Sequence, residues 1–137
     1  MTAGYSKTPL VKKLGIKNDF TIKLYNHPDY YFSLLTDLPE NVSFNSAEDL
    51  AVVDFIHYFA LDINSLKKEL PVLQESIKPE GMIWVSWDKT KSRNQAAVNE
   101  NIVRSEALKL KLVDIKVCAI DETWSGLKLV IRKELRS

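Results

Sequence analysis

The sequence predicts an α/β fold: a three-layer domain with a mostly parallel, six-stranded sheet and a C-terminal antiparallel hairpin. Apolar runs at 52–60 and 82–87 lack a polar face, as expected of parallel strands that are covered on both sides. A stretch with leucines at helical spacing separates them, which favours strands alternating with helices. The last two apolar runs, 113–120 and 123–133, are too close for a crossover helix, so they must pair antiparallel.

The first half of the chain begins with a short helix. Thr8 and Pro9 predict its start, with Thr8 as the N-cap and Pro9 at the first helical position. Gly15 predicts its end, because glycine readily adopts the left-handed conformation of a helix C-terminus. Three further elements are predicted from apolar periodicity: a strand over 20–25, a short helix over 28–36 and a short strand over 42–45.

The second half alternates strands with longer helices. Leucines at helical spacing predict a helix over 64–77 between the two apolar strands. Lys78-Pro79-Glu80-Gly81 predicts a turn that ends this helix. Another helix is predicted over 98–111, before the closing hairpin. Nothing in the sequence marks a linker or an internal repeat, so we expect a single domain over 1–137.

Composition excludes several classes of function. The net charge is +1, and lysines alternate with acidic residues, so no strong field attracts nucleic acid or an anionic membrane. No apolar run approaches the roughly 18 residues of a membrane-spanning helix. Residues 1–15 lack the pattern of a signal peptide, and the one cysteine, Cys118, cannot form an intramolecular disulfide. We therefore expect a cytoplasmic protein with no nucleic-acid or membrane partner; its oligomeric state stays open.

Two stretches resemble the class I S-adenosylmethionine-dependent methyltransferases. One is 54–87, where a strand, a helix, the Lys78-Pro79-Glu80-Gly81 turn and a second strand follow in that family's order. The other is the closing hairpin, 112–133. The resemblance implies a Rossmann-like methyltransferase fold. Longer runs are similar to a family of short bacterial proteins with this fold and no assigned activity: 4–16, 81–87 and 117–133.

The resemblance also predicts a degenerate cofactor site. In the methyltransferases the first strand leads into a glycine-rich turn, which lets the backbone approach the cofactor. Here residues 25–29 read Tyr-Asn-His-Pro-Asp, and Pro28 lacks a backbone donor. The family's third strand has no counterpart, so we expect a truncated fold. The family's ribose-binding acid would fall to Glu48 or Asp49. No cofactor is predicted, with S-adenosylmethionine as the alternative.

A small binding crevice is predicted where the parallel strands end. Ligands of open α/β sheets bind beyond the carboxyl ends of the strands. The predicted topology brings five loops to that edge, and their polar and aromatic side chains suit a small ligand. A solvated loop edge with no ligand would have a similar composition. The crevice candidates are Asn26, His27, Asp62, Trp87, Lys89, Arg93 and Trp124.

Catalytic candidates are few. His27 is the candidate general base, because imidazole titrates near neutrality, and Asp121 is the candidate partner that orients it. Lys89 or Arg93 would then hold the charge of an anionic substrate. The histidines and the cysteine show no metal-ligand spacing, so no metal site is predicted.

These observations favour a non-catalytic module that binds an unknown small molecule or a protein partner. The sequence contains no recognisable catalytic constellation, and its cofactor turn has lost the glycines. Two alternatives stay open. One is an enzyme that acts on a small anionic metabolite, and the other is an S-adenosylmethionine-dependent methyltransferase.

Overall fold

Six strands form one mixed sheet in the part of the chain that the structure, a computed structural model, describes (residues 8–91 and 96–136). The sheet order is β2-β1-β3-β4-β6-β5. The first four strands in this order are parallel, whereas β6 runs antiparallel to both β4 and β5. The predicted mixed α/β sheet and its closing hairpin are therefore confirmed. The strands are β1 (Thr21–Tyr25), β2 (Ser43–Asn45), β3 (Val53–Phe59), β4 (Ile77–Asp88), β5 (Leu112–Ala119) and β6 (Trp124–Ile131).

Helices connect or flank these strands. Gly15 ends the first helix with a left-handed φ of 83°, as predicted. Asp62 and Asn99 cap the other two helices, since each side chain accepts a hydrogen bond from a backbone N–H of the first turn. The α-helices are α1 (Leu10–Leu14), α2 (Ile63–Gln74) and α3 (Glu100–Leu108), and single 3₁₀ turns lie at Tyr31–Leu34, Lys89–Lys91 and Lys133–Leu135.

Apolar side chains cover both faces of the sheet. Helices α2 and α3 pack on one face, and α1 with the 3₁₀ turn at Tyr31–Leu34 packs on the other. Trp84 and Trp87 lie on opposite faces, as strand alternation predicts for residues three positions apart. The indole Nε1 of Trp84 donates to the carbonyl oxygen of Leu14 over 2.9 Å, which ties β4 to α1.

The first two helix predictions differ from the structure in detail. The predicted helix over 28–36 is only a 3₁₀ turn, with hydrogen bonds between residues three apart, such as Tyr31 N to Pro28 O at 2.9 Å. Side chains three apart align in this geometry, so Tyr31 and Leu34 both reach the core. The N-cap of α1 is Pro9 and not Thr8, because the ψ of Pro9 is 145°, outside the helical range.

Strand pairing overrides two local signals in the second half. The helix predicted over 64–77 ends at Gln74, because Ile77 already pairs with Val53 of β3. The predicted turn at 78–81 belongs to β4, where it bulges opposite the single residue Asp54. The helix predicted over 98–111 is shorter, since Asn99 caps α3, and its last residue is Leu108.

Candidate functional site at the carboxyl edge of the sheet

The loops of the predicted crevice meet at the carboxyl edge of the sheet. The parallel strands β1, β2, β3 and β4 all end there. The turn between β5 and β6 joins them, because Trp124 at the start of β6 pairs with Asp88 at the end of β4. The structure thus places the predicted loops side by side, and the role of each side chain follows from its contacts.

Asn26 links the ends of two neighbouring strands. It directly follows β1 and has a left-handed φ of 58°, a conformation that asparagine tolerates better than most residues. Its amide Nδ2 donates to the carbonyl oxygen of Phe59, at the end of β3, over 3.1 Å. An asparagine therefore takes a backbone conformation typical of glycine in this turn, and its side chain spans the gap between β1 and β3.

His27 is exposed and packs against rings of its own loop. Its ring lies edge-on to Tyr31 and Phe32, with centroid distances of 5.7 and 5.8 Å. The proposed partner, Asp121, is bound elsewhere: Oδ2 accepts from the Tyr30 hydroxyl at 2.7 Å, and Oδ1 accepts from two backbone N–H groups of its turn. Asp121 thus joins the loop after β1 to the β5–β6 turn, while its pairing with His27 stays a prediction.

A buried chain of side chains lies beneath this edge. The Tyr31 hydroxyl is 2.7 Å from Nδ1 of His57, and Nε2 of His57 is 2.7 Å from the hydroxyl oxygen of Ser86. None of the three side chains is exposed to solvent. The His57 ring also stacks on Phe59, with centroids 4.3 Å apart. Since both ring nitrogens have partners, this buried polar group is satisfied.

Burial fixes the protonation states in this chain. Desolvation, with a smaller contribution from the charge of His27, lowers the pKa of His57 to about 3. Desolvation also raises the pKa of Tyr31 above its ordinary value. Both groups are therefore neutral at physiological pH and shielded from solvent, which is typical of a structural network and not of a general base.

Glu48 lies just beyond β2, beside the loop that follows β1. Its carboxylate accepts from the Ser46 hydroxyl, and that bond is the main cause of its lowered pKa. The pKa of the Tyr25 phenol is raised by burial, then by the charges of Glu69 and Glu48. The charge of Glu48, one of the two acids that the sequence offered for ribose binding, therefore acts on Tyr25 at the end of β1.

The remaining crevice candidates differ in their contacts and in their burial. The Asp62 carboxylate caps α2 through the backbone N–H and hydroxyl of Ser65, at 2.8 and 3.0 Å. Trp87 is only 5% exposed and packs in the core beneath α2 and α3, so its ring is not part of an exposed rim. The backbone N–H of Lys89 donates to the carbonyl oxygen of Thr123 at 2.9 Å. Arg93 lies outside the described residues.

Trp124 borders a small cavity at this edge. Its ring packs edge-on against Phe59, with centroids 5.0 Å apart. The cavity has a volume of about 70 Å³, with Ala60 and Lys91 also in its lining. A wider cleft of about 360 Å³ lies next to it, at the N-terminus of α2, where Asp62 and Asn64 contribute to its wall. Only the second volume falls in the usual range of ligand pockets, about 300–1,000 Å³.

Sequence reasoning missed two links at this edge. Neither the Tyr31–His57–Ser86 chain nor the Tyr30–Asp121 bond was predicted. The sequence gave a partial signal for the buried chain. His57 and Ser86 are polar residues within strands that are apolar on both faces, so each is expected to be buried and to need a hydrogen-bond partner.

The described part of the chain contains no evident metal site: its histidine, cysteine, aspartate and glutamate side chains include no group of three that could hold a metal ion. No helix within residues 8–91 and 96–136 combines the length and the apolar character that crossing a membrane requires.

Solved structures with a similar fold include methyltransferases. A SAM-dependent methyltransferase from Aquifex aeolicus matches with a TM-score of 0.62 and 16% identity, over 89% of this chain and 87% of that one. A SAM-dependent methyltransferase from Thiobacillus denitrificans, in complex with S-adenosyl-L-homocysteine, matches with a TM-score of 0.59 and 10% identity, over 90% and 89%.

A third similar structure is a ribosomal protein L11 methylase from Lactobacillus delbrueckii subsp. bulgaricus. It has a TM-score of 0.58 and 10% identity, over 88% of this chain and 74% of that one. No protein-family model and no curated protein matches the sequence. At these identities the likeness shows the fold alone: the chain has a class I methyltransferase-like fold.

Proposed function

We propose that this chain is a small-molecule-binding protein, and that its ligand is an S-adenosyl compound held at the carboxyl edge across the ends of the neighbouring strands β2, β1 and β3. One juxtaposition carries this function: the left-handed turn at Asn26 directly follows β1, and Glu48 lies three residues beyond the end of the neighbouring β2. Asn26 keeps a left-handed backbone, for which glycine is the usual residue, although its side chain limits the approach of a ligand. A carboxylate such as that of Glu48 accepts hydrogen bonds from ribose hydroxyls.

The Asn26 amide is the main obstacle to such a ligand. It occupies the gap between β1 and β3 by bonding to the Phe59 carbonyl oxygen. Giving up this hydrogen bond costs about 0.5–1.5 kcal/mol, a small amount beside the roughly 8 kcal/mol of a micromolar complex. We therefore expect the ligand to displace the amide, which lowers its affinity by about tenfold at most.

The carboxylates at the carboxyl edge favour binding without catalysis, because they already accept hydrogen bonds from within the protein. Asp62 caps a helix, Asp88 accepts from the backbone of Thr90, and Asp121 holds its own turn and Tyr30. Carboxylates engaged in this way are poorly placed to move a proton from a substrate. His27 stays exposed at the edge, and we assign it no catalytic role in this function.

Methyl transfer is the second candidate function. It is favoured by the solved structures of similar fold, which include a methyltransferase in complex with S-adenosyl-L-homocysteine. This candidate predicts turnover of S-adenosylmethionine with a small acceptor, and a loss of turnover in His27→Ala. The binding function predicts saturable ligand binding with no turnover. Measuring both ligand binding and turnover on the same purified chain distinguishes the two candidate functions.

Calorimetric titration with S-adenosylhomocysteine and S-adenosylmethionine tests the proposed ligand. We expect saturable binding of both, and a Kd about tenfold higher in Glu48→Gln. Glutamine replaces a charged acceptor, whose hydrogen bond contributes about 1.5–3 kcal/mol, by a neutral one, which contributes about 0.5–1.5 kcal/mol. Glu40→Gln is the matched control, since Glu40 is an exposed acid in the turn before β2. Absence of binding by either compound, or equal effects of the two substitutions, would contradict the proposal.

A further inference from the structure

The bulge of β4 forms one wall of a cavity at the amino edge of the sheet, opposite the candidate crevice. Residues 78–81 bulge out against Asp54. Asp54 Oδ2 accepts from the backbone N–H and hydroxyl of Thr21, at 2.8 and 3.0 Å, and Oδ1 pairs with Lys78 at 3.1 Å. Glycine suits position 81, because a Cβ there would lie only 3.1 Å from the carbonyl oxygen of Asp54, closer than ordinary van der Waals contact. Side-chain bonds and close packing therefore fix this wall.

The cavity is large enough for a small organic ligand. Its volume is about 520 Å³, which lies within the usual range of ligand pockets, about 300–1,000 Å³. Phe20, Pro79 and Met82 supply an apolar surface. The charged residues in the lining of the cavity are Lys17, Lys78, Asp54 and Glu80.

The two lysines of this rim differ in their ion pairing. Lys78 is paired with Asp54, whereas Lys17 forms no ion pair among the described residues. Positive charge also accumulates beside the cavity: the pKa of the half-buried Lys128 is lowered by desolvation and then by the charges of Lys116 and Lys17. A bound anion at Lys17 would relieve this repulsion.

The geometry points to a site for a small organic monocarboxylate. Its apolar chain packs against Phe20 and Met82, and its carboxylate binds the Lys17 ammonium. Glu80 lies on the same rim and repels ligands that carry several negative charges, such as a nucleotide, whereas the charge of Asp54 is compensated by Lys78. This site is independent of the carboxyl-edge function, because the two lie at opposite ends of the strands.

Octanoate is a suitable probe, with 1-octanol as its neutral analogue of equal chain length. We expect octanoate to shift the NMR signals of Phe20 and Met82 in the full-length chain, with little effect of octanol. In Lys17→Gln the Kd for octanoate should rise about tenfold, the loss of one charge-assisted hydrogen bond. Added salt should weaken octanoate binding, since the site is open to solvent.

Lys12→Gln is the matched control for this experiment. Lys12 is an exposed lysine of α1 outside the cavity lining, so its loss should leave the Kd unchanged. Equal binding of octanol and octanoate, an unchanged Kd in Lys17→Gln, or shifts confined to other surfaces would each overturn the site. Lys17 is exposed, so its substitution leaves the fold intact.

Discussion

Replacing Tyr31 by alanine is expected to lower the free energy of unfolding by about 3–5 kcal/mol, the usual cost of removing a large buried aromatic ring. The ring is not exposed to solvent and lies edge-on to His57, Phe59, His27 and Phe32. It anchors the loop after β1 to the sheet, so its loss both opens a cavity and frees that loop. Urea denaturation followed by circular dichroism measures the change.

Tyr31→Phe measures the contribution of the Tyr31 hydrogen bond to stability separately from that of the ring. It keeps the packing but leaves Nδ1 of the buried His57 without its partner, which should cost about 1–3 kcal/mol. Tyr30→Phe is the matched control: the Tyr30 hydroxyl also makes one hydrogen bond, but the residue is 43% exposed. We expect its effect to stay within about 0.5 kcal/mol. Equal destabilisation by the two substitutions would contradict the importance of the buried chain.

Stability should decrease as the pH falls below neutrality. The pKa of His57 is about 3 in the folded protein, whereas an unfolded histidine has a pKa of about 6.5. Between these values the unfolded chain binds the extra proton, so acid favours unfolding. The expected slope approaches about 1.4 kcal/mol per pH unit. The window from roughly pH 6.5 to 5 isolates this effect, because carboxylates of unfolded chains titrate near pH 4.

His57→Gln provides the control for this pH dependence. Glutamine retains hydrogen-bonding atoms for Tyr31 and Ser86 but does not titrate, so the slope between roughly pH 6.5 and 5 should flatten even if the variant is less stable at neutral pH. Urea midpoints measured across this window give the slope for both proteins. An unchanged slope in His57→Gln would show that another group is responsible.

Much of the fold follows from sequence because its signals are local. The doubly apolar runs predict the buried strands, and the short separation of the last two runs predicts their hairpin. Gly15 predicts the end of α1 from a conformational preference of one residue. Trp84 and Trp87 separate onto opposite faces because side chains alternate along any regular strand.

The differences arise where tertiary contacts decide the local conformation. The stretch 78–81 reads as a turn, yet Ile77 and Met82 on either side of it both pair with β3. The Tyr31–His57–Ser86 chain joins residues from a loop and two strands, 26 and 29 positions apart. Strand order and register bring them together, and no periodicity in a single sequence encodes that register.

The site is harder to predict than the fold, since fold alone does not specify a ligand. The sequence indicated Asn26 as a residue of the crevice, and the structure adds its left-handed backbone and its bond to Phe59. Glu48 was one of two acids offered for ribose binding, and it follows β2, which pairs with β1. These two residues carry the proposed function.

Asn26→Gly gives the most direct test of that function. Glycine adopts the left-handed conformation without strain, and the substitution frees the Phe59 carbonyl oxygen by removing the amide. Asn41→Gly is the matched control, because Asn41 is also left-handed, at φ 63°, and its Nδ2 donates to Asp19 at 2.9 Å, away from the crevice.

Calorimetric titration of both variants with S-adenosylhomocysteine is the decisive measurement. We expect Asn26→Gly to bind up to about tenfold more tightly than the unsubstituted protein, which corresponds to release of one neutral hydrogen bond. Asn41→Gly should bind as the unsubstituted protein does. An unchanged or lower affinity in Asn26→Gly, or no binding by any of the three proteins, would contradict a ligand site across the ends of β2, β1 and β3.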